Sequence, residues 1–190
     1  MRTFIAIELP QEIKDGLARL QSQLKKAGAD VKWVKPKNIH LTLKFLGEIS
    51  AKQLPKVIEI IEEVTRTKKQ FKIGLSSCGA FPGKKAPRVI WVGVNKGNEE
   101  IRFIVQELEE KMEEIGIPKE ERPFSSHITI GRVKGALNTG KLSGVLKESE
   151  NYPGGENIEF DVRRLTLFKS TLGQAGPSYE ALKEVSITTA

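Results

Sequence analysis

The sequence predicts an α+β fold with antiparallel sheets. Two observations carry that expectation. Strand-like runs and three amphipathic helical stretches are mixed along the chain, and several strands follow one another with only a turn between them. A doubly wound parallel sheet would need a crossover at each step. A four-residue phrase, histidine–apolar–threonine–apolar, also occurs twice, and its bearing is on a duplicated lobe rather than on the fold class. No linker-like shift in composition divides the chain, so residues 1–190 read as one domain.

The elements follow in order. Thr3 to Leu9 is an apolar-rich strand with Ile5, Ile7 and Leu9 on one face. Pro10 opens a helix whose Ile13, Leu17, Leu20 and Leu24 form one stripe, and Gly28 stops it. "VKWV" is a short strand, and "IHLTLKFLG" is a clearer one ending at Gly47. Ser50 and Gln53 have capping-box spacing ahead of a helix to about Thr65, with Leu54, Ile58, Ile61 and Val64 or Thr65 inward. Two strands come next, "QFKIGLSSC" and "PRVIWVGV", around a Gly/Pro/Lys loop, "GAFPGKKA". A helix from Asn98 to Ile115 carries Ile101, Val105, Leu108, Met112 and Ile115. "SHITIGRV" is a strand. The stretch from Lys134 to Asn157 reads as irregular, with a short helix near Leu142 to Leu146. Two strands, "IEFDVRRLTLFKSTL" and "YEALKEVSI", close the chain around a "GQAGP" turn.

Composition narrows the function classes. Hydrophobic residues are 38% and charged residues 29%, which fits neither a disordered chain nor a membrane protein. "MRTFIAIELP" has one basic residue and no long apolar stretch, unlike a signal peptide. Cys78 is the single cysteine, which rules out an intrachain disulfide and any cysteine-based metal cluster. A cytoplasmic protein is the expectation. The net charge of +7 suits a polyanionic partner such as nucleic acid.

The chain has two histidines, His40 and His127, and each opens one copy of the repeated phrase. On a strand, residues two apart share a face. His40 then lies beside Thr42, and His127 beside Thr129. The opposite faces, Ile39, Leu41, Leu43 and Phe45 in one copy and Ile128 and Ile130 in the other, face the core. One such phrase is an ordinary polar strand face. Two that use every histidine, 87 residues apart (40 to 127), fit a duplicated lobe with the strands meeting across a pseudo-twofold axis.

Paired imidazoles suit displacement at phosphorus. Histidine titrates near ~6.5, so one ring can take a proton from the attacking group while the other gives one to the leaving oxygen. Threonine hydroxyls can bind the non-bridging oxygens. Nothing in this scheme needs a metal, and two histidines without a nearby cysteine or carboxylate are a poor zinc set.

The stretches "RTFIAIELP", "HLTLKFLGE", "RVIWVG", "HITIGRV" and "LTLFKSTLGQAGPSYEAL" resemble, in order, the two-histidine (2H) phosphoesterase superfamily. Within it the chain is most similar to the RNA 2′,3′-cyclic phosphodiesterase branch, historically called 2′–5′ RNA ligase. The resemblance implies two pseudo-symmetric lobes whose antiparallel sheets face a central cleft, with helices outside. It implies conversion of RNA 2′,3′-cyclic phosphate ends, tRNA fragments among them, to 2′-phosphomonoesters by a monomer without metal or cofactor. It also implies His40 as acid, His127 as base, and Thr42, Thr129 and Arg132 at the phosphate. Strict alternation puts Arg132 on the wrong face unless the strand bulges, which Gly131 would permit. Ser126 stands where family members often carry proline. A non-catalytic RNA-binding module, and a phosphodiesterase for a small cyclic nucleotide or oligoadenylate, are the competing readings.

Secondary candidates are Lys44, on the His40 face of a regular strand, and the aromatics Trp33, Phe81, Trp91 and Phe124. Phe81 and Phe124 are the better placed to stack on a base, and Trp91 is expected in the core.

Overall fold

The computed structural model describes residues 1–150, 158–174 and 176–188. Its elements are β1 (Arg2–Glu8), α1 (Gln11–Lys25), β2 (Val31–Trp33), a 3-10 turn (Pro36–Asn38), β3 (His40–Glu48), α2 (Leu54–Arg66), β4 (Phe71–Phe81), β5 (Val89–Lys96), α3 (Asn98–Glu114), β6 (His127–Val133), α4 (Thr139–Glu148), β7 (Glu159–Val162), β8 (Arg164–Gly173) and β9 (Gly176–Ser186). Every pair within the two sheets is antiparallel. One sheet has the order β3-β1-β8-β9, the other β2-β6-β5-β4-β7.

The two sheets share one plan. In each, a strand pairs antiparallel with a histidine strand, and a helix lies between the two in the chain: β1, α1 and β3 in the first half, β5, α3 and β6 in the second. The helices cross over. α1 packs against β6 of the other sheet, and α3 against β3. Each helix therefore ties its own half to the opposite one, and the histidine strands come into contact where the sheets meet. The result is a bilobal α+β fold with two antiparallel sheets flanking a cleft and helices at the periphery.

Burial follows the apolar periodicity. Ile13, Leu17, Leu20 and Leu24 of α1 are buried, and so are Ile101, Val105, Leu108 and Met112 of α3. Ser50 and Gln53 form the capping box: Ser50 N–H donates to Gln53 Oε1 (3.0 Å) and Gln53 N–H to Ser50 Oγ (3.2 Å). The stripe of α2 is rotated from its expected position. Val57, Ile60, Ile61, Val64 and Thr65 are buried, while Leu54 and Ile58 sit at the edge of the core. Because α2 contacts α3 as well as β8 and β9, its buried face is wider than one stripe.

Three further expectations are corrected. The run from Ile158 to Leu172 is two strands, broken at Arg163. β7 belongs to the five-stranded sheet and β8 to the four-stranded one, so a single residue passes the chain between lobes. β4 continues to Phe81 through the first three residues of the expected "GAFPGKKA" loop. The stretch expected to be irregular holds a helix longer than Leu142 to Leu146, and its residues 151–157 lie outside the described residues.

Candidate active site

The two histidine strands carry the same irregularity at the same place. Against β1, the register runs Ala6–Thr42 and then Ile5–Lys44, so Leu43 is an extra residue. Against β5, it runs Trp91–Thr129 and then Ile90–Gly131, so Ile130 is extra. A bulge resets the alternation. In each strand the third and fourth residues after histidine both turn inward, and the fifth returns to the cleft side. Leu43, Lys44, Ile130 and Gly131 are buried, while Phe45 and Arg132 are exposed.

Arg132 therefore lines the same cavity as His127 and Thr129. Gly131 is required by close approach: a Cβ there would lie 2.9 Å from Val31 Cγ1 and 3.0 Å from Trp33 on β2. The extra residue is pinned from α1. Gln21, almost fully buried, donates through Nε2 to both Ile130 O and Val34 O at 2.8 Å, and Val34 N–H donates to Ile130 O at 3.0 Å.

The same bulge corrects two other expectations. Phe45 is 53% exposed rather than in the core, and it lines the cavity. Lys44 is 1% exposed and turned inward, where Nζ meets Glu109 Oε2 at 2.6 Å and Pro118 O at 3.0 Å. Glu109 Oε2 also accepts the backbone N–H of Glu120 at 3.1 Å. Lys44 thus holds α3 and the chain after it, which leads to Phe124, Ser125 and His127.

A cavity of about 980 Å³ opens between the lobes and is lined by His40, Thr42, His127, Thr129 and Arg132 together. Both imidazoles are oriented alike. His40 Nδ1 lies 2.7 Å from Asn38 O, and His127 Nδ1 lies 2.7 Å from Ser125 O. A carbonyl oxygen only accepts, so Nδ1 carries the hydrogen in each ring and Nε2 is left with the free lone pair. Thr42 Oγ1 sits 3.0 Å from His40 Nε2, so with His40 neutral its hydroxyl donates there.

Each ring rests on aromatics that the sequence reading either missed or read differently. Phe4 stacks on His40 with centroids 4.8 Å apart, and Tyr179 meets it edge-on at 5.3 Å. Phe4, Ala6 and Phe168 form a small separate core on the far side of β1, with Tyr179 packed against it. Burial pushes the His40 pKa down to about 4; the bond to Asn38 O acts the other way, and nearby Lys14 adds to the lowering. Burial also raises the Tyr179 pKa, with Arg132 and Arg2 opposing it. On the other side, Phe81 meets His127 edge-on at 5.2 Å and is itself packed against Trp91 at 5.2 Å. Trp91 fits only because position 79 is glycine, whose Cβ would fall 2.3 Å from the indole. Phe81 thus supports a histidine. Trp33 and Phe124 line the cavity. The surrounding loops carry ion pairs, Lys84–Glu150 at 2.8 Å and Lys119–Glu113 at 2.8 Å. Cys78 is buried, and desolvation pushes its thiol up to about 12. Among the described residues no group of three or more His, Cys, Asp or Glu is gathered as a metal site.

The LigT-like phosphoesterase family model matches the chain twice, over residues 7–91 and 92–179. The chain belongs to the LigT-like phosphoesterase family. Two successive matches, each containing one histidine phrase, agree with the repeated bulge and the shared sheet plan. Relatives in this family include the RNA 2′,3′-cyclic phosphodiesterase of Methanocaldococcus jannaschii, 37% identical over 97% of this chain and 99% of that one. That of Aquifex aeolicus is 32% identical over 97% and 96%. Among solved structures, a Thermus thermophilus protein superposes with a TM-score of 0.82 at 27% identity, covering 100% and 99% of the two chains. E. coli LigT in complex with 3′-AMP gives 0.80 at 25%, covering 99% and 98%.

Proposed function

We propose that the protein hydrolyses RNA 2′,3′-cyclic phosphate ends to 2′-phosphomonoesters, with His40 and His127 as its acid–base pair and with no metal. It is a hydrolase of the LigT-like family, whose members from M. jannaschii and A. aeolicus are RNA 2′,3′-cyclic phosphodiesterases. One observation carries the assignment to these residues. The only two imidazoles of the chain line one cavity, each tied through Nδ1 to its own strand. That leaves two Nε2 atoms for proton transfer at a group held between the lobes.

In the proposed step a water oxygen attacks phosphorus and its proton passes to Nε2 of His127. The P–O3′ bond breaks, and the proton on Nε2 of His40 goes to O3′. The 2′-phosphomonoester and a free 3′-hydroxyl leave, and exchange with solvent resets both rings. A 5′-hydroxyl attacking in place of water, with the same P–O3′ bond broken and O3′ protonated by His40, would instead form a 2′–5′ linkage. Burial keeps His40 neutral by itself, so its role as acid depends on the phosphate: an anion beside Nε2 favours the imidazolium and offsets desolvation. Protonation also ends Nε2's role as acceptor, which frees the Thr42 hydroxyl to donate to a non-bridging oxygen. Thr129 and Arg132 take the other non-bridging oxygen, the guanidinium meeting charge that builds up on it. A cavity of about 980 Å³ accommodates a terminal nucleotide with room for its neighbour. The protein works as a cytoplasmic monomer, and among the described residues no helix is long and apolar enough to cross a membrane.

His40→Ala and His127→Ala are each expected to lower kcat on a cyclic-phosphate RNA end by ~10²–10⁴ while the circular dichroism spectrum stays that of the parent. Parent-rate hydrolysis by both variants would sink the assignment.

A further inference from the structure

We infer that the RNA leaves the active cleft over β2 and the end of β6, with its backbone phosphates on Lys32, Lys35 and Lys134. This inference rests on the proposed activity at an RNA end.

A cyclic phosphate is the 3′ end of its chain, so all the remaining RNA lies to one side of the reacting phosphorus. A protein that processes such an end has use for cations along one exit of its cleft. The charge around the cavity is divided in that way. All four carboxylates that line it, Glu109, Glu110, Glu120 and Glu121, come from α3 and the segment just after it. Of the four cations at that end, Lys44 and Lys119 are paired with Glu109 and Glu113, and Arg102 and Arg122 stand among the remaining carboxylates, so the end has no excess of positive charge. The opposite end contributes cations only. Lys32, Lys35, Arg132 and Lys134 all line the cavity, and among the described residues none of them is in an ion pair.

The ladder explains how they come together. Lys32 and Arg132 are direct partners in the antiparallel β2–β6 pair, so their side chains share a face. Val31–Val133 and Trp33–Gly131 take the other face and pack against the core, with the partly buried Trp33 also reaching the cavity. Lys134 is two residues beyond Arg132, on the same side as Lys32. Lys32 also reaches across: its Nζ lies 3.7 Å from the point where a Cβ on Gly176 would stand, at the turn of the β8–β9 hairpin. Like charges held this close, without counterions from the protein, favour a polyanion. Asp30, at the start of β2, keeps its carboxylate against Gly135 and does not line the cavity.

The test compares binding of a fluorescein-labelled RNA hexanucleotide with a 2′-phosphate terminus, read by anisotropy, with binding of a nucleoside 2′-monophosphate as its competitor. The variants are Lys32→Ala/Lys35→Ala/Lys134→Ala and, at the other end, Arg102→Ala/Arg122→Ala. For the triple variant the hexanucleotide Kd is expected to rise ~10-fold or more, and the salt slope to fall by ~2, about 0.7 for each lost phosphate contact. The monophosphate Kd should stay at the parent value, and the arginine variant should bind both nearly as the parent does. A triple variant that binds the hexanucleotide like the parent would overturn the inference. An equal loss for hexanucleotide and monophosphate would overturn it too, because the lysines would then serve the terminal phosphate. A larger loss in the arginine variant would place the RNA at the other end. Turnover is scored separately: binding that depends on the lysines, without hydrolysis of a cyclic phosphate by the parent, would sink the activity and keep the path.

Discussion

At the scale of single residues, His40 is a base held in an environment that disfavours its charge. Its folded pKa, about 4, lies below the ordinary 6.5. The unfolded chain therefore binds this proton more readily than the native one between those values, and stability must fall as the pH drops through that window. Above 6.5 the contribution is fully present. The loss is on the order of 3 kcal/mol at most, counting 1.36 kcal/mol per pKa unit. Urea unfolding between pH 7 and pH 4 should show a decline that His40→Ala largely removes; an equal decline in both proteins would mean other groups cause it. The pairing of His40 with Thr42, and of His127 with Thr129, was legible in the sequence because it needs only strand alternation. The rings that hold the histidines were not. Phe4, Tyr179 and Phe81 reach them through strand pairing and the β8–β9 hairpin, and nothing in the local pattern around Tyr179 marks it as a partner of His40.

At the scale of elements, the paired bulges decide which side chains meet the cleft. Strict alternation placed Lys44 beside His40 and Phe45 in the core, and both were reversed by one extra residue. The same event brought Arg132 to the cavity, and there Gly131 was a readable sign. Gln21 was not: a glutamine on a helix reads as surface, and only the packing of α1 on β6 makes it the clamp on Ile130 O and Val34 O. Gln21→Leu should cost ~1–2 kcal/mol of unfolding free energy, the value of lost hydrogen bonds to buried carbonyls. An unchanged urea midpoint would show that the bulge holds without it. The inward Lys44 makes a sharper case. Lys44→Met leaves Glu109 without its cation and should cost ~3 kcal/mol or more, whereas Lys44→Met/Glu109→Leu should recover much of that. No recovery in the double variant would mean that the pair's value lies in its bonds to Pro118 O and Glu120 N–H.

At the scale of the whole molecule, the fold is two copies of one plan bound together by exchanged helices. The sequence carried the class, the helices and most strands, since periodicity and caps are local. It also carried the duplication, through the spacing of the two phrases, and the double family match follows the same halves. It did not carry the passage at Arg163. A strand that changes sheets within one residue keeps its alternation and composition, so only the register of β7 on β4 and of β8 on β1 separates them. The helix exchange has a functional consequence: α1 on β6 and α3 on β3, together with the direct contact of β3 with β6, join the lobes where the two histidine strands share a single cavity.

The central claim is that two imidazoles from two lobes act on one phosphate as acid and base. Its most direct test is incubation of the protein, with chelator, on a short RNA ending in a 2′,3′-cyclic phosphate, with product identification and a pH–rate profile. A 2′-phosphomonoester as the product and a bell-shaped profile, whose two apparent pKa values belong to the histidine pair, are the expected result. A 3′-phosphomonoester, a rate abolished by chelator, or a profile without two limbs would contradict it.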